Sequence, residues 1–328
     1  MSYKTGLVAT LAELEQFYKG QDTGDMIELM NQTNDCMNDV PWMESNRSDG
    51  HTTRVRTGLP DVHWRRLYKG TPNSKSQFTQ VKEACGMLES RAEIDVEEMN
   101  LYGDKAKAFR MSEALAFTES MRQKVATTLF YGNADANPDE FNGIAMRYGT
   151  SSHPHCINAG GVSGNMASMF LMAWGPNSLH GIYPKGSTGG LDHKELGEYQ
   201  TLDTDGNKFE VVGDKYLWRC GIAVRDWRAV VRICNIPVAD LTKRKGEVGF
   251  IDMQALTIQA KNKMPQNLRD KAIWYCNSDV LTALELQSTD AGNVHLVYGD
   301  LFNSKAIPNL HGRPIRQCDA LLSTETVI

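Results

Sequence analysis

Apolar positions mark one long helix more clearly than any other element. Between Asp104 and Tyr131 there is no Pro and no internal Gly, and Ala114, Phe117, Met121, Val125 and Leu129 recur at spacings of three and four. That spacing stacks them on one face of a helix. Glu113, Glu119, Arg122, Gln123 and Lys124 fall on other faces. Gly103-Asp104 offers a break and an N-cap, and Gly132-Asn133 a stop. At 1.5 Å per residue such a helix is roughly 40 Å long. An amphipathic helix of that length has to lie along a sheet or along another chain.

The pattern around it is less regular. Leu7 to Tyr18 reads as a short amphipathic piece, and the stretch after it is polar. Thr52-Thr53-Arg54-Val55-Arg56 alternates like a strand, Gly58-Leu59-Pro60-Asp61 turns, and Gly70-Thr71-Pro72-Asn73 reads as a loop. Val62 to Tyr68 and Gln77 to Val81 read as further extended segments. Asn133 to Gly149 is a turn-rich connection. Beyond Gly160 the character is that of strands: Ser168 to Trp174, Phe209 to Val212, Tyr216 to Val224 and Ala229 to Ile233, with Asp205-Gly206 as a hairpin turn. Asp252 to Met264 has helical spacing. Ile273 to Cys276 reads as a strand, Ser278-Asp279 as the cap of a helix through Leu286, and Pro314 to Leu322 as extended. The mixture is α+β, a long-helix layer and a sheet-centred lobe.

Charge changes sign along the chain. Residues 1–45 carry about −6, residues 46–82 about +6, and 83–100 are acidic again through Glu83, Glu89, Glu93, Asp95, Glu97 and Glu98 against Arg91. The whole chain of 328 residues has a formal charge of −5, which argues against a protein built mainly to grip nucleic-acid phosphates. Apolar residues make up 41%, enough for a core. Seven scattered cysteines without a C-x-x-C pair suit reduced thiols in a cytoplasmic compartment. No signal region opens the sequence and no apolar run is long enough for a bilayer.

Candidate chemistry is thin. His153-Pro154-His155-Cys156 has metal-ligand types, but adjacent residues in a Pro-containing loop cannot easily surround one ion, so a plain loop is expected and no metal. Gly181 to Gly186 has the spacing of a phosphate loop with Ser187 where the Lys belongs. Asp203-Thr204-Asp205-Gly206-Asn207 begins like a calcium loop without its later Glu. There is no Gly-x-Ser-x-Gly elbow. No enzyme and no cofactor is expected. The six tryptophans, Trp42, Trp64, Trp174, Trp218, Trp227 and Trp274, suit core or interface anchors.

The basic segment 46–82 is too poor in apolar residues to fold alone. Three readings stay open for it. It could be a nucleic-acid hairpin with Trp64 and Tyr68 interleaved among arginines, a solvated loop, or a limb that reaches a neighbouring copy and lies across that copy's acidic 83–100 segment or its arm. The last reading puts Arg54, Arg56, Trp64, Arg65 and Arg66 against Glu89, Glu93, Asp95, Glu97 and Glu98 of a sibling.

Several blocks, in order, resemble a known family. They are Arg56-Thr57-Gly58-Leu59-Pro60 with Trp64-Arg65; Leu129-Phe130-Tyr131-Gly132-Asn133 and Phe141-Asn142-Gly143-Ile144; Trp174-Gly175-Pro176-Asn177; Gly181-Ile182-Tyr183-Pro184-Lys185-Gly186; Arg225-Asp226-Trp227-Arg228; and Gly312-Arg313-Pro314-Ile315-Arg316 with Asp319 and Thr324-Glu325. They look like the major capsid (coat) proteins of tailed bacteriophages, with the Hong Kong 97-like fold. The resemblance implies an N-terminal arm (1–45), an extended β-hairpin loop (46–82), a peripheral domain with the spine helix (83–145), a mainly axial domain (146–310) and a C-terminal strand region returning to the peripheral domain (311–328). It implies hexamers and pentamers that close into an icosahedral head around double-stranded DNA, without sequence-specific binding, in a virion assembled in the host bacterial cytoplasm. Partners implied are other copies of the chain, a portal, possibly a decoration protein, and a separate scaffolding protein, since no long scaffolding region precedes the arm. Lys69 and Lys75 lie in the loop, but nothing specifies a covalent crosslink.

Overall fold

In a computed structural model, residues 32–288, 296–299 and 307–328 are described. The amphipathic piece Leu7–Tyr18 and most of the expected arm lie outside them. In chain order the first elements are helix α1 (Cys36–Asp39) and strands β1 (Trp42–Glu44), β2 (Gly50–Gly58), β3 (Gln77–Ala84) and β4 (Gly86–Asp95). Helices α2 (Val96–Tyr102), α3 (Ala106–Tyr131) and α4 (Ile144–Arg147) follow. Then come β5 (Cys156–Asn158), β6 (Met166–Ala173), β7 (Leu179–Tyr183), β8 (Leu191–Leu202), β9 (Lys208–Val224) and β10 (Val230–Pro237). The remainder is α5 (Met253–Lys263), α6 (Gln266–Arg269), β11 (Ala272–Cys276), α7 (Ser278–Ser288), β12 (Leu296–Gly299), β13 (Ile307–Leu310) and β14 (Arg313–Gln317). Contacts divide the chain into two units. One holds Met87–Val125 and Gly190–Trp218, the other Thr33–Gly86, Ala126–Gly189 and Arg219–Ile328. Gly190–Trp218, expected within the lobe 146–310, therefore groups with the long helix.

In the first unit α3 lies along a sheet. Its expected face meets that sheet: Met121 is buried with Ala92 and Tyr216, and Ala114, Phe117, Leu88, Leu191 and Trp218 pack around them. Phe117 stacks on Tyr216 with ring centroids 5.7 Å apart. The helix starts two residues later than the sequence suggests, because Gly103–Lys105 forms a 3-10 turn. The sheet is built on the β8–β9 hairpin, which runs from Leu191↔Trp218 to Leu202↔Lys208. Its tip is the expected turn: the Asp203 carboxylate accepts from the Asp205 and Asn207 amides at 2.9 and 2.8 Å. Strand β8 went unread in the sequence, since its polar run Asp192-His193-Lys194-Glu195 lacks an apolar alternation. Gly213 makes the hairpin's packing possible. A Cβ there would overlap the Tyr199 ring, which crosses β9 so that its hydroxyl donates to Glu93 at 2.5 Å.

Asp214, on β9, is 2% exposed and collects three hydrogen-bond contacts from two partners. Arg110 donates twice at 2.7 Å, and His193 Nε2 lies 2.8 Å away. Glu195 adds a second carboxylate 3.3 Å from Arg110. The hydrogen bonds from Arg110, more than the opposing burial, hold the Asp214 carboxyl below its usual range.

The second unit centres on a seven-stranded sheet in the order β12-β13-β14-β11-β6-β10-β5. Strand β6 is buried along its whole length, which is why its sequence is one apolar run rather than an alternation. It pairs antiparallel with β10 and β11, and β14 runs parallel to β11. Strand β10 continues past the expected Ile233 through an irregularity at Asn235, whose φ is +54°. The end of α3 belongs here: Leu129 and Phe130 are fully buried, and the Phe130 ring lies 5.5 Å from Phe170. Helix α5 falls within the expected stretch and is capped by Asp252, whose side chain accepts from Ala255 N–H. Helix α7 is capped instead by Asn277, which accepts from Val280 N–H at 3.0 Å, because Ser278 and Asp279 are already helical. A second strand set joins β1 parallel to β7, and β7 antiparallel to the end of β9. Residues 34–45 are anchored by it, with Cys36, Met37 and Val40 buried.

Late residues complete this unit. Glu325 pairs through its backbone with Met166 and through its side chain with three partners. Arg232 and Ser168 donate to one oxygen at 2.7 and 2.6 Å, and Tyr131 to the other at 2.5 Å. Both charged side chains are almost wholly buried. Arg232 spends its remaining donors on Ser168 and on the Ala145 and Tyr148 carbonyls. Burial and the facing carboxylate push the Tyr131 hydroxyl well above its normal range, so it stays a donor.

Two outcomes follow from these pairs. Glu325→Ala strands a buried guanidinium and should cost about 3–5 kcal/mol in urea unfolding; a loss below about 1 kcal/mol would place the pair with ordinary surface bridges. Asp214 has a depressed folded pKa, so its contribution is present above the unfolded carboxyl value of about 3.9 and lost as pH falls through the folded one. The stability gap between the native chain and Asp214→Asn should hold from pH 8 to about 5 and narrow progressively as pH falls below about 4; a gap as wide at pH 2 as at pH 7 would contradict this.

Candidate assembly interface

The expected basic hairpin exists as its own two-stranded sheet. Strands β2 and β3 pair from Gly50↔Ala84 to Gly58↔Gln77. Thr52, Thr53 and Val55 supply the β-branched side chains that favour a strand. Gln77 to Ala84 does the same on the return, but Val62 to Tyr68 forms no strand. With Pro60 and Pro72 flanking it and Tyr68 at φ +65°, that segment cannot keep a ladder. It is a tip held by local bonds: Arg65 Nε donates to the Lys69 carbonyl at 2.9 Å and Ser74 to the Asp61 carbonyl at 2.8 Å.

Every residue from Leu59 to Lys75 is exposed. The exposure includes large apolar groups: Leu59 81%, Val62 93%, Trp64 104%, Leu67 87% and Tyr68 101%. A chain that folds for itself does not leave five such side chains together in water. Lower on the hairpin, Arg54, Arg56 and Phe78 line an open cleft of about 420 Å³. Arg56 and Phe78 are cross-strand partners, and the guanidinium carbon sits 5.1 Å from the ring centroid.

The root, by contrast, is stiff. Glu83 is 5% exposed and receives both arms of the Arg147 guanidinium, at 2.6 and 2.5 Å. His51, opposite Glu83, accepts from Asn46 N–H at Nδ1 and lies 2.8 Å from Arg225 at Nε2. The buried His180 ring meets His51 edge-on at 5.8 Å. Burial, then Arg225 and His51, push the His180 imidazole down to about 4, so it is neutral near pH 7. Outside these, Lys82 and Arg47 converge on Asp49. None of these root groups was singled out from the sequence as a site. Glu83 and Arg147 are 64 positions apart, and no short motif links them.

The candidate contact residues fall into two groups. Arg54, Arg56, Trp64, Arg65 and Arg66 all sit exposed on the hairpin. The acidic set belongs to the other unit and is largely engaged there. Glu89 binds Lys215 and Arg91 at 2.7 and 3.0 Å, Glu93 accepts from Tyr199, and Asp95 caps α2 by accepting from Glu97 N–H. Glu97 is exposed and Glu98 half-buried.

The other candidate chemistry resolves into turns and packing. The His153 ring accepts from His155 N–H, His155 Nδ1 faces the Val230 carbonyl at 3.1 Å, and the His155 ring stands against Trp227 at 4.7 Å. Burial pushes both imidazoles down. Among the described residues no three His, Cys, Asp or Glu side chains converge to hold a metal ion, and no helix is long and apolar enough to cross a membrane.

Comparison with known proteins decides the family. Residues 19–328 match the family model described as "Major capsid protein GP7". The chain belongs to this family. This major capsid protein superimposes on a chain from the structure of bacteriophage Epsilon15 with a TM-score of 0.73 and 27% identity, covering 100% of this chain and 99% of that one. Weaker likenesses include the SrpI encapsulin of Synechococcus elongatus, at TM-score 0.46 and 10% identity over 73% of this chain and 100% of that one. Another is a chain of Mycobacterium phage Adephagia, at 0.45 and 9% over 66% and 96%. No curated protein sequence matches the chain. The α+β architecture is the Hong Kong 97-like phage capsid fold. This capsid protein is a structural component of a phage virion, assembled from copies of itself.

The root makes its own forecast. Arg147→Ala should leave the seven-stranded sheet intact while amide exchange in 50–58 and 77–84 speeds up by at least about tenfold. Unchanged exchange there would mean that the ladder alone holds the hairpin.

Proposed function

We propose that the hairpin of this capsid protein is the limb that joins one subunit to the next. The observation that carries this is the bare apolar tip, Leu59, Val62, Trp64, Leu67 and Tyr68, on a root locked by buried charge. Burying each such side chain is worth roughly 1.5–3 kcal/mol, a gross gain on the order of 10 kcal/mol for the tip. Head-to-tail repetition of one contact closes rings, and hexamers and pentamers joined through such limbs close the icosahedral head around double-stranded DNA. Apolar burial supplies the affinity. The arginines supply register: Arg54 and Arg56 take carboxylates of a sibling's acidic segment, where Glu97 is the most available. The engagement of Glu89, Glu93 and Asp95 within their own unit makes them weaker candidates than Glu97. A portal, a separate scaffolding protein and, in particles that carry one, a decoration protein complete the assembly. The net charge of −5 suits a container from which packed DNA must leave. We infer no catalytic role.

Two variants separate the contributions. Leu59→Ser with Trp64→Ser and Tyr68→Ser should leave a folded subunit, by circular dichroism, that forms no shells by electron microscopy. Arg54→Glu with Arg56→Glu should also fold and fail to form regular shells. Normal assembly of the second variant would remove the charge register and leave the apolar contact standing. Normal assembly of both would remove the limb. Salt-sensitive DNA binding lost in the arginine variant, with assembly intact, would favour a nucleic-acid role instead.

A further inference from the structure

Among the seven cysteines, all of them free thiols, one pair stands out. Cys36 Sγ and Cys318 Sγ are 3.1 Å apart, although 282 positions separate them in sequence. Both are 0% exposed. Their approach is fixed by backbone rather than by two loose side chains. Asn34 and Cys318 form an antiparallel bridge, Asp319 N–H donates to the Thr33 carbonyl at 2.9 Å, and Asn34 Oδ1 accepts from Ala320 N–H at 3.0 Å. Cys318 N–H in turn donates to the Cys276 carbonyl at 2.8 Å, which ties the same spot to the end of β11. A disulfide has its sulfurs about 2.05 Å apart, so closure needs about 1 Å of further approach.

We propose that Cys36 and Cys318 form a latent disulfide, open while the subunit folds and assembles, and closed by a peroxide-class oxidant afterwards. The step balances in two parts. One thiolate attacks a peroxide oxygen, giving a sulfenic acid and, with the released proton, one water. The second thiol then attacks the sulfenic sulfur, forms the S–S bond and expels a second water. Two thiols are oxidised and one peroxide is reduced. A small oxidant is required, because a bulky disulfide reagent cannot reach two fully buried sulfurs without local opening.

The hydrogen bond to Cys318, and burial next, hold the Cys36 thiol well above its ordinary value. Little thiolate exists near pH 7, so the reaction is slow. Slowness fits the order of events. The pair stays reduced in the cytoplasm where the chain folds, and closes once the particle has left that reducing compartment. The bond would pin residues 33–39 to the strand β14 end of the large sheet, across a very long covalent loop. Loops of that length are where a crosslink restricts the unfolded chain most.

The test uses the full-length chain, treated with dilute hydrogen peroxide and compared with Cys36→Ser and Cys318→Ser. After denaturation under non-reducing conditions, free thiols are alkylated and the peptides are mapped. The expected result is a linked peptide containing Cys36 and Cys318, two hydrogens lighter than its parts and absent from both variants. Thermal unfolding should shift up by about 5 °C, reversed by a reductant. Recovery of Cys36 and Cys318 as alkylated thiols, or as separate sulfinic acids, would overturn the proposal. So would a thermal shift that survives in Cys318→Ser. Peptide mapping of the unmutated chain decides the matter even where a serine variant does not fold.

Discussion

A two-stranded hairpin has two faces, and here its own chain covers neither at the tip. From Leu59 to Lys75 every residue is exposed, yet the root is fixed by a bidentate Arg147 contact to the buried Glu83 carboxylate. The subunit combines a rigid attachment with an unsatisfied surface. Breaking such a pair leaves a lone buried charge, so the root resists loosening. The exposed side chains are held where a second molecule can meet them without first being ordered. Ordering in advance lowers the entropic cost of association. A shell made of one repeated contact needs that economy at every joint.

The two units secure themselves by different means. In the one carrying Met121 and Tyr216, an aromatic and aliphatic layer holds α3 on its sheet, and Asp214 gathers Arg110 and His193 beside it. In the other, a wholly buried β6 lies between β10 and β11 in a seven-stranded sheet, and the buried Arg232–Glu325 pair ties a late segment to it. Both put an ion pair where a hydrophobic contact could stand. Such pairs add little net stability over an apolar substitute but penalise every arrangement in which one partner is missing. Their contribution is to geometry: they allow one packing and disfavour its neighbours.

What the sequence made legible follows from locality. Helix α3 could be read because its periodicity lies within the helix itself, and β6 because eight successive buried positions leave a run that is apolar except at Ser168. The hairpin's charge and its outward reach were visible for the same reason. Strand β8 was not, since its side chains are polar on both faces and its identity depends on pairing with β9. Val62–Tyr68 misled because aromatic and β-branched residues mimic a strand even in an exposed tip. The acidic set looked free in sequence because Lys215 and Tyr199, which engage Glu89 and Glu93, lie more than a hundred residues away. The Glu83–Arg147 root was hidden by the same distance.

The Glu325 junction has a consequence in time as well as in space. Arg232, Ser168 and Tyr131 emerge from the ribosome long before the carboxylate that neutralises them, and β14 joins the large sheet almost as late. Until then a cation sits in a half-built interior with nothing to balance it, and long-range pairings of this kind form slowly. A chain broken off during synthesis cannot finish that lobe. A chain that stops short of Glu325 leaves the buried Arg232 guanidinium without its counter-charge and Ser168 and Tyr131 without their common acceptor.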